Sequence, residues 1–229
     1  MKLSQAKAGC VTLGVEIPPD TLAFLDSLGP KQLPLFDALK GKQYGGVANM
    51  TLNHGDFRLD NIFFKVPGSD EVPVAFIDFQ LLQINLAGRD PMYFLMNSVP
   101  EQWRAENELK LLNAYYDALI QNDKVPASYT WEVFMVECVL GLAFSVYNPV
   151  YVGADTEIVK PGGTGDDPRK LQMIKTGFER YFACATDWGL SDKTVDKFLE
   201  WAAAGATEEV WAAEASAIVP EKYLKGREV

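Results

Sequence analysis

Two short stretches of the chain hold the side chains best suited to chemistry. The first is Asn53-His54-Gly55-Asp56-Phe57-Arg58-Leu59-Asp60-Asn61-Ile62-Phe63-Phe64. The second is Phe76-Ile77-Asp78-Phe79-Gln80, whose Asp78 lies seventeen residues beyond Asn61. Asp56 and Asp78 offer carboxylates and Asn61 an amide oxygen. Hard oxygen ligands of this kind suit magnesium, which takes one or two of them from protein and the rest from phosphate and water. A carboxylate beside such a metal can orient an attacking hydroxyl, and phosphoryl transfer asks little more of a protein than positioning and charge stabilisation.

For the three oxygens to meet, the elements around them must fold back on each other. Val47 to Leu52 reads as a short strand, Ile62-Phe63-Phe64 as a second and Val74-Ala75-Phe76-Ile77 as a third. Pro67-Gly68-Ser69-Asp70-Glu71, between the last two, is rich in turn formers and predicts a hairpin. The antiparallel return then sets Asp78 beside Asn61, where the loop carrying Asp56 becomes strand. The apolar neighbours Leu52, Phe57, Ile62, Phe76, Ile77 and Phe79 are expected to anchor the three polar side chains.

His54-Gly55-Asp56-x-x-x-x-Asn61 resembles the H-G-D-x-x-x-x-N catalytic loop of the aminoglycoside phosphotransferase and choline kinase superfamily, whose relatives the protein kinases carry H-R-D instead. Ile77-Asp78-Phe79-Gln80 is similar to the I-D-[FWY] metal motif of that superfamily, the counterpart of D-F-G. Its Phe-Gln ending looks most like the ecdysteroid-kinase-like (CHK kinase-like) branch. The string Asp56 to Asn61 also resembles kinase-like domains linked to acyl-CoA dehydrogenases. The resemblance implies an ATP-dependent phosphotransferase with magnesium as cofactor and a small-molecule alcohol as acceptor. By position, Asp56 would orient the acceptor hydroxyl, and Asn61 and Asp78 would hold magnesium and, through it, the nucleotide phosphates. His54 would shape the loop. Arg58 stands where many protein kinases place a lysine near the transferring phosphate, with an ion-paired surface arginine as the alternative. Asp90, in Gly88-Arg89-Asp90-Pro91, reads as a helix cap with Pro91 behind it, and the resemblance adds a brace to the catalytic loop.

Around this core the sequence reads as helix. Residues 18–40 predict two short helices broken at Gly29-Pro30, followed by a glycine-rich loop from Gly41 to Gly46 that carries Lys42. Beyond Pro91, stripes over Leu112 to Leu119, Trp131 to Val146 and Leu171 to Ala185 recur at helical spacing and read as packing faces. Residues 148–168 predict a long loop, and a last pair of helices is expected at about 191–203 and 207–217, capped by Ser191 and Thr207. The fold class expected is α+β and mostly helical: the C-terminal lobe of the protein-kinase-like fold, with a small hairpin carrying both motifs. Residues 1–17 read as a tail or a remnant of the lobe connection, 18–217 as the catalytic lobe and 218–229 as a C-terminal tail. The nucleotide lobe, which the family builds ahead of the catalytic loop, is expected to be missing, because the first 17 residues are too few for a sheet. The chain is therefore expected to be part of a complete kinase, with a pseudokinase-like binding or scaffold module as the alternative. Trp103, Tyr115, Tyr116, Trp131, Tyr147 and Tyr151 are candidates for a substrate wall, though most read as core.

Composition narrows the partners. The 229 residues carry a formal net charge of −10, which argues against nucleic acid. No apolar run is long enough to span a bilayer, no signal peptide opens the chain, and a cytoplasmic protein is expected. Cys10, Cys138 and Cys184 form neither a disulfide framework nor a metal pair. A metal-dependent hydrolase on Asp56 and Asp78 fits less well, since such sites usually add histidines and His54 is the sole one.

Overall fold

In a computed structural model, the structure describes residues 2–41, 50–65, 68, 74–145 and 167–227. Four short strands carry the motif region. β2 (Ile62–Phe64) and β3 (Val74–Phe76) pair antiparallel with Ile62 opposite Phe76, the hairpin that alternating β-formers and turn residues predict. β1 (Met50–Asn53) pairs antiparallel with β4 (Gln83–Leu86), Asn53 opposite Gln83. This second sheet was not expected. Its polarity is inverted: Leu52 and Ile84 point outward, 65% and 67% exposed, while Asn53 and Asn85 are buried. The buried amide nitrogens find acceptors: Asn53 Nδ2 donates to the Asn85 carbonyl at 3.1 Å and Asn85 Nδ2 to Gln83 Oε1 at 3.1 Å, while Asn53 Oδ1 has no partner among the described residues. Residues 47–49 of the expected first strand, the loop 42–46, and all of the 67–71 turn except Gly68 lie outside the described residues.

Nine helices are described: α1 (Lys2–Leu13), α2 (Pro19–Gly41), α3 (Arg89–Asn97), α4 (Glu101–Ile120), α5 (Trp131–Ser145), α6 (Pro168–Asp187), α7 (Asp192–Ala204), α8 (Glu208–Glu214) and α9 (Glu221–Leu224). Every residue of α5 except Glu132 is buried, as a helix apolar all round must be. α3, α8 and α9 pack on it. α6 buries Ile174, Phe178, Tyr181 and Phe182 and begins at Asp167, whose carboxylate accepts from the Arg169 amide at 2.9 Å ahead of Pro168.

Three expectations are corrected here. α2 runs unbroken through Gly29-Pro30. Phe24, Leu25, Leu28 and Leu35 are all buried and α2 lies along α7, so the burial gained along that face outweighs the donor that proline lacks. The first residues are not a tail, for α1 buries Ala6 and Cys10 and packs on α6. Nor are the last ones. Tyr223 is fully buried, stacks on Trp188 at 3.9 Å, and accepts on its carbonyl from Trp131 Nε1 at 2.9 Å. The Tyr223 hydroxyl also donates to Glu108, which pairs with buried Arg104 at 2.8 Å. Arg104 in turn reaches Asp187, so one ionic network ties α4, α6 and α9.

The approach of α3 to α5 depends on two glycines. A Cβ on Gly88 would sit 2.5 Å from the Cys138 amide nitrogen, and one on Gly141 would sit 2.7 Å from the Gly88 carbonyl. Both obstacles are backbone and cannot swing aside. Gly88→Ala or Gly141→Ala is expected to lower unfolding free energy by about 3 kcal/mol. Gly177, inside α6 with open space at its Cβ, is the contrast: Gly177→Ala is expected to raise it by about 0.5–1 kcal/mol. Urea midpoints at unchanged slope report both.

Candidate functional site

β1 leads into the loop that carries His54, Gly55 and Asp56, and a 3-10 turn over Leu59–Asn61 returns it to β2. Gly55 has φ +83°, and its Cβ position lies 2.2 Å from the Leu81 carbonyl. Only glycine lets this loop lie against the 3-10 turn Phe79–Leu81 that follows Asp78. His54 completes the junction. Its Nε2 donates to the Ile77 carbonyl at 2.8 Å, its Nδ1 faces the Asp56 amide at 3.4 Å, and its ring packs 4.7 Å from that of Phe79. The histidine thus joins the two motifs.

The Asp56 carboxylate is held from several sides. Tyr93 OH donates to Oδ1 at 2.9 Å, Asn61 Nδ2 donates to Oδ2 at 3.1 Å, and Arg58 Nε stands 3.5 Å from Oδ2 as an ion pair. Asn61 Nδ2 also donates to the Asp56 carbonyl at 2.8 Å. Both known roles of that amide nitrogen are therefore spent on Asp56, and the Asn61 amide oxygen is the group left for a cation. The Asn61 carbonyl accepts from the Ile77 amide at 3.1 Å, so the backbone one residue before Asp78 is bound to that of Asn61. Asp78 is exposed and is the one described non-glycine residue with positive φ, at 66°. Among the described residues its side chain meets Gln80 Nε2, at 3.5 Å. A left-handed aspartate costs about 1 kcal/mol or more, and such outliers gather where a side chain must be aimed.

Among the described residues no group of three or more His, Cys, Asp or Glu side chains comes together. The exposed Asp78 carboxylate and the buried Asn61 amide oxygen are hard oxygen donors, of the kind that suits a magnesium taking its other ligands from phosphate and water. The cysteines offer no nucleophile. All three are free and buried, and burial pushes Cys10 up to about 11 and Cys184 up to about 12.

Asp90 braces the loop and does not cap the helix. Oδ2 accepts from the His54 amide at 2.6 Å and Oδ1 from the Gly55 amide at 3.1 Å, while α3 starts at Arg89 with Gly88 at the cap position. Burial raises the Asp90 pKa, against the pull of those two amides and of Arg89. Behind Asp90 stands Glu137, fully buried in α5. Its Oε2 accepts from the Ala87 amide at 3.0 Å and from Tyr129 OH at 2.6 Å. Burial pushes its pKa up to about 8, although the Tyr129 hydroxyl and the Ala87 and Gly88 amides pull it down. The chain of contacts runs from α5 through Ala87-Gly88 into α3, and through Asp90 to the loop. Tyr93 and Glu137 were not singled out from the sequence. Tyr93 lies three residues past Asp90, on the same helix face; Glu137, inside an apolar stripe, carried no signal beyond being a lone charge there.

Beside Asp56 opens a cleft of about 540 Å³ between the 58–60 turn, the end of α3 and one face of α6. None of the aromatic residues expected as a substrate wall lines it. Tyr115, Tyr116 and Trp131 pack in the core and Trp103 lies on the surface, while Tyr147 and Tyr151 lie outside the described residues. The anchoring expected of the motif's apolar neighbours is also corrected. Phe57 packs between Phe76 and Phe94, both at 5.6 Å, but Leu52, Phe76, Ile77 and Phe79 are 42–65% exposed. With Phe63 and Phe64 they leave both sheets with an open apolar surface.

The model of the ecdysteroid kinase-like family matches residues 42–125, a stretch that contains both motifs and Asp90. The mostly helical α+β architecture with its small paired strands is that of a kinase-like C-terminal lobe. No curated protein and no solved structure matches the chain. Among the described residues no helix is long and apolar enough to cross a membrane.

Two measurements probe the braces. Asp90→Ala removes two charge-assisted hydrogen bonds and is expected to cost about 2–4 kcal/mol, with hydrogen exchange at the His54 and Gly55 amides accelerated ahead of the rest of the fold. For Glu137 the folded pKa lies above the unfolded one. Its contribution is therefore complete below about pH 4.5 and is lost as pH rises to about 8. Denaturation at pH 5, 6.5 and 8 is expected to show stability falling by about 1.4 kcal/mol per pH unit from this group, and Glu137→Gln is expected to flatten that slope.

Proposed function

We propose that this chain, whose residues 42–125 carry the ecdysteroid kinase-like signature, is the catalytic lobe of an ATP-dependent kinase acting on a small-molecule hydroxyl. The observation that carries the proposal is the state of Asp56. Its carboxylate is fixed by Tyr93 and Asn61 at hydrogen-bonding distance, with the Asn61 amide oxygen left over and the backbone before Asp78 tied alongside. A carboxylate so restrained can receive the proton of an acceptor hydroxyl and fix its direction, which is most of what phosphoryl transfer needs from protein.

Asn61 and Asp78 are the residues that would hold magnesium. When bound, the ion supplies charge neutralisation at the phosphates. Asp78 projects from the left-handed turn with little to restrain it but Gln80. Arg58, ion-paired to Asp56 at 3.5 Å and to Asp60 at 3.7 Å, is near enough to exchange a carboxylate for a phosphoryl oxygen. The open apolar surface of the two sheets favours a further body over this face, since exposed patches of that size mark contact sites. A nucleotide and the sheet lobe that covers it, from a neighbouring segment or another chain, is the cover consistent with kinase-like architecture.

Magnesium-ATP is expected to raise the melting temperature, because a ligand that binds only the folded state stabilises it by mass action. Asp78→Ala is expected to abolish the shift. Asp56→Ala is expected to keep the shift and, in the complete enzyme, to lower turnover by about 10²–10⁴-fold. If neither this chain nor the chain joined to an upstream sheet lobe responds to magnesium-ATP, the kinase reading is wrong and a non-catalytic binding module takes its place.

A further inference from the structure

The cleft beside Asp56 differs in charge from the rest of the molecule. The chain as a whole carries −10, yet three arginines line the cleft, Arg58, Arg169 and Arg180, against one acid, Asp60. Arg58 is spoken for by Asp56 and Asp60. The other two differ. Among the described residues neither Arg169 nor Arg180 has a carboxylate within ion-pair distance. Arg180 donates Nη1 to the Asn97 carbonyl at 2.9 Å and keeps its other donors. Among the described residues, the carboxylate next to Arg169 in sequence, that of Asp167, accepts from the first amides of α6. Eleven residues apart on α6, the two positions share one face, separated by about three turns or roughly 16 Å of helix rise.

The remaining lining is mixed. Leu59, Met173 and Ile174 give apolar surface, and Gln172, Thr176 and Ser98 give neutral polar groups. Tyr93, which donates to Asp56, and Arg58, which pairs with it, both line the cleft, so the carboxylate lies one side chain behind its wall. A cavity of about 540 Å³ is of the size that takes a drug-sized molecule. A cationic acceptor would meet two guanidiniums that have no carboxylate partner among the described residues, and a neutral one would leave them unused.

We propose that the acceptor is an amphiphilic hydroxy acid: its hydroxyl points toward Asp56 past Tyr93 and Arg58, its apolar body lies on Leu59, Met173 and Ile174, and its anionic group is held by one guanidinium of α6, that of Arg169 or of Arg180. This rests on the kinase reading for the role of Asp56, but the anion preference is a property of the cleft and is measured separately.

The test is calorimetric binding of cholate and of methyl cholate, kept below micellar concentration, to the whole chain. The two share a skeleton and hydroxyls and differ in one charge. Cholate is expected to bind at least about 10-fold more tightly, the value of one charge-assisted hydrogen bond. Its affinity is expected to fall with added salt while that of the ester does not. Arg169→Gln/Arg180→Gln is expected to erase the difference. The salt dependence, read on the unaltered protein, keeps the proposal testable should that variant fold poorly. Equal affinities, no binding of either, a cholate preference that survives the double substitution, or competitive displacement of cholate by magnesium-ATP would each overturn it. The last outcome would assign the arginines to nucleotide phosphates. Magnesium-ATP stabilisation is expected to be the same in the double variant. No magnesium-ATP stabilisation of the unaltered protein, with or without an upstream sheet lobe, alongside its intact cholate preference would remove the kinase reading and leave the anion cleft standing.

Discussion

The site depends on two antiparallel pairings, one nested inside the other. The inner pair puts Ile62 opposite Phe76, and the outer puts Asn53 opposite Gln83. Each motif loop, 54–61 and 77–82, therefore begins at one sheet and ends at the other, and the two face each other across a fixed gap. A register shift of one residue in either pair would turn every side chain to the opposite face and separate Asp78 from Asn61. Two short sheets would be marginal alone in water. They hold here because Gly55 lies against the Leu81 carbonyl, His54 bonds to the Ile77 carbonyl, and Asp90 ties the loop to the helical body.

That last tie passes the rigidity of the core to the chemistry. α5 is the most buried element, and α3 approaches it backbone to backbone because Gly88 and Gly141 carry no Cβ. Glu137 reaches back from α5 to the Ala87 amide at the turn into α3. Two residues into α3, Asp90 spends both carboxylate oxygens on the His54 and Gly55 amides, and one turn on, Tyr93 reaches Asp56. The loop 54–61 thus inherits its geometry from a well-packed helix, the arrangement that holds a constellation of side chains within a fraction of an ångström.

Much of this could be read before any coordinates, for identifiable reasons. Asp56, Asn61 and Asp78 stood out because few residue types can ligate magnesium, and because turn formers between two β-rich runs fold back on themselves. The helices of the second half announced themselves by apolar periodicity. What stayed hidden was whatever runs against pattern. β4 escaped because its buried positions are asparagine and its exposed ones isoleucine, the reverse of the usual alternation. α2 looked like two helices because a Gly-Pro pair outweighs, locally, a packing face visible only once α7 lies against it. Asp90 looked like a cap because Asp before Pro is a strong local signal, whereas its true partners lie 35 and 36 residues earlier. The cleft was illegible for a similar reason: Arg58 and Arg180 share it only through the fold.

The partners of Asp56 fall into two groups, and the division has mechanistic content. Tyr93 and Arg58 belong to the cleft against α6, and Asn61 belongs to the junction with the metal motif. The carboxylate is thus the point where a polar, cationic concavity meets an open apolar sheet surface. In-line phosphoryl transfer needs its attacking and leaving oxygens on opposite sides of the phosphorus. An acceptor held on the α6 side and a nucleotide held on the sheet side would approach Asp56 from different directions and would not compete for the same surface. The contrast in chemistry between the two sides also lessens the chance that an anionic acceptor occupies the nucleotide's place, since it gains nothing from exposed phenylalanines.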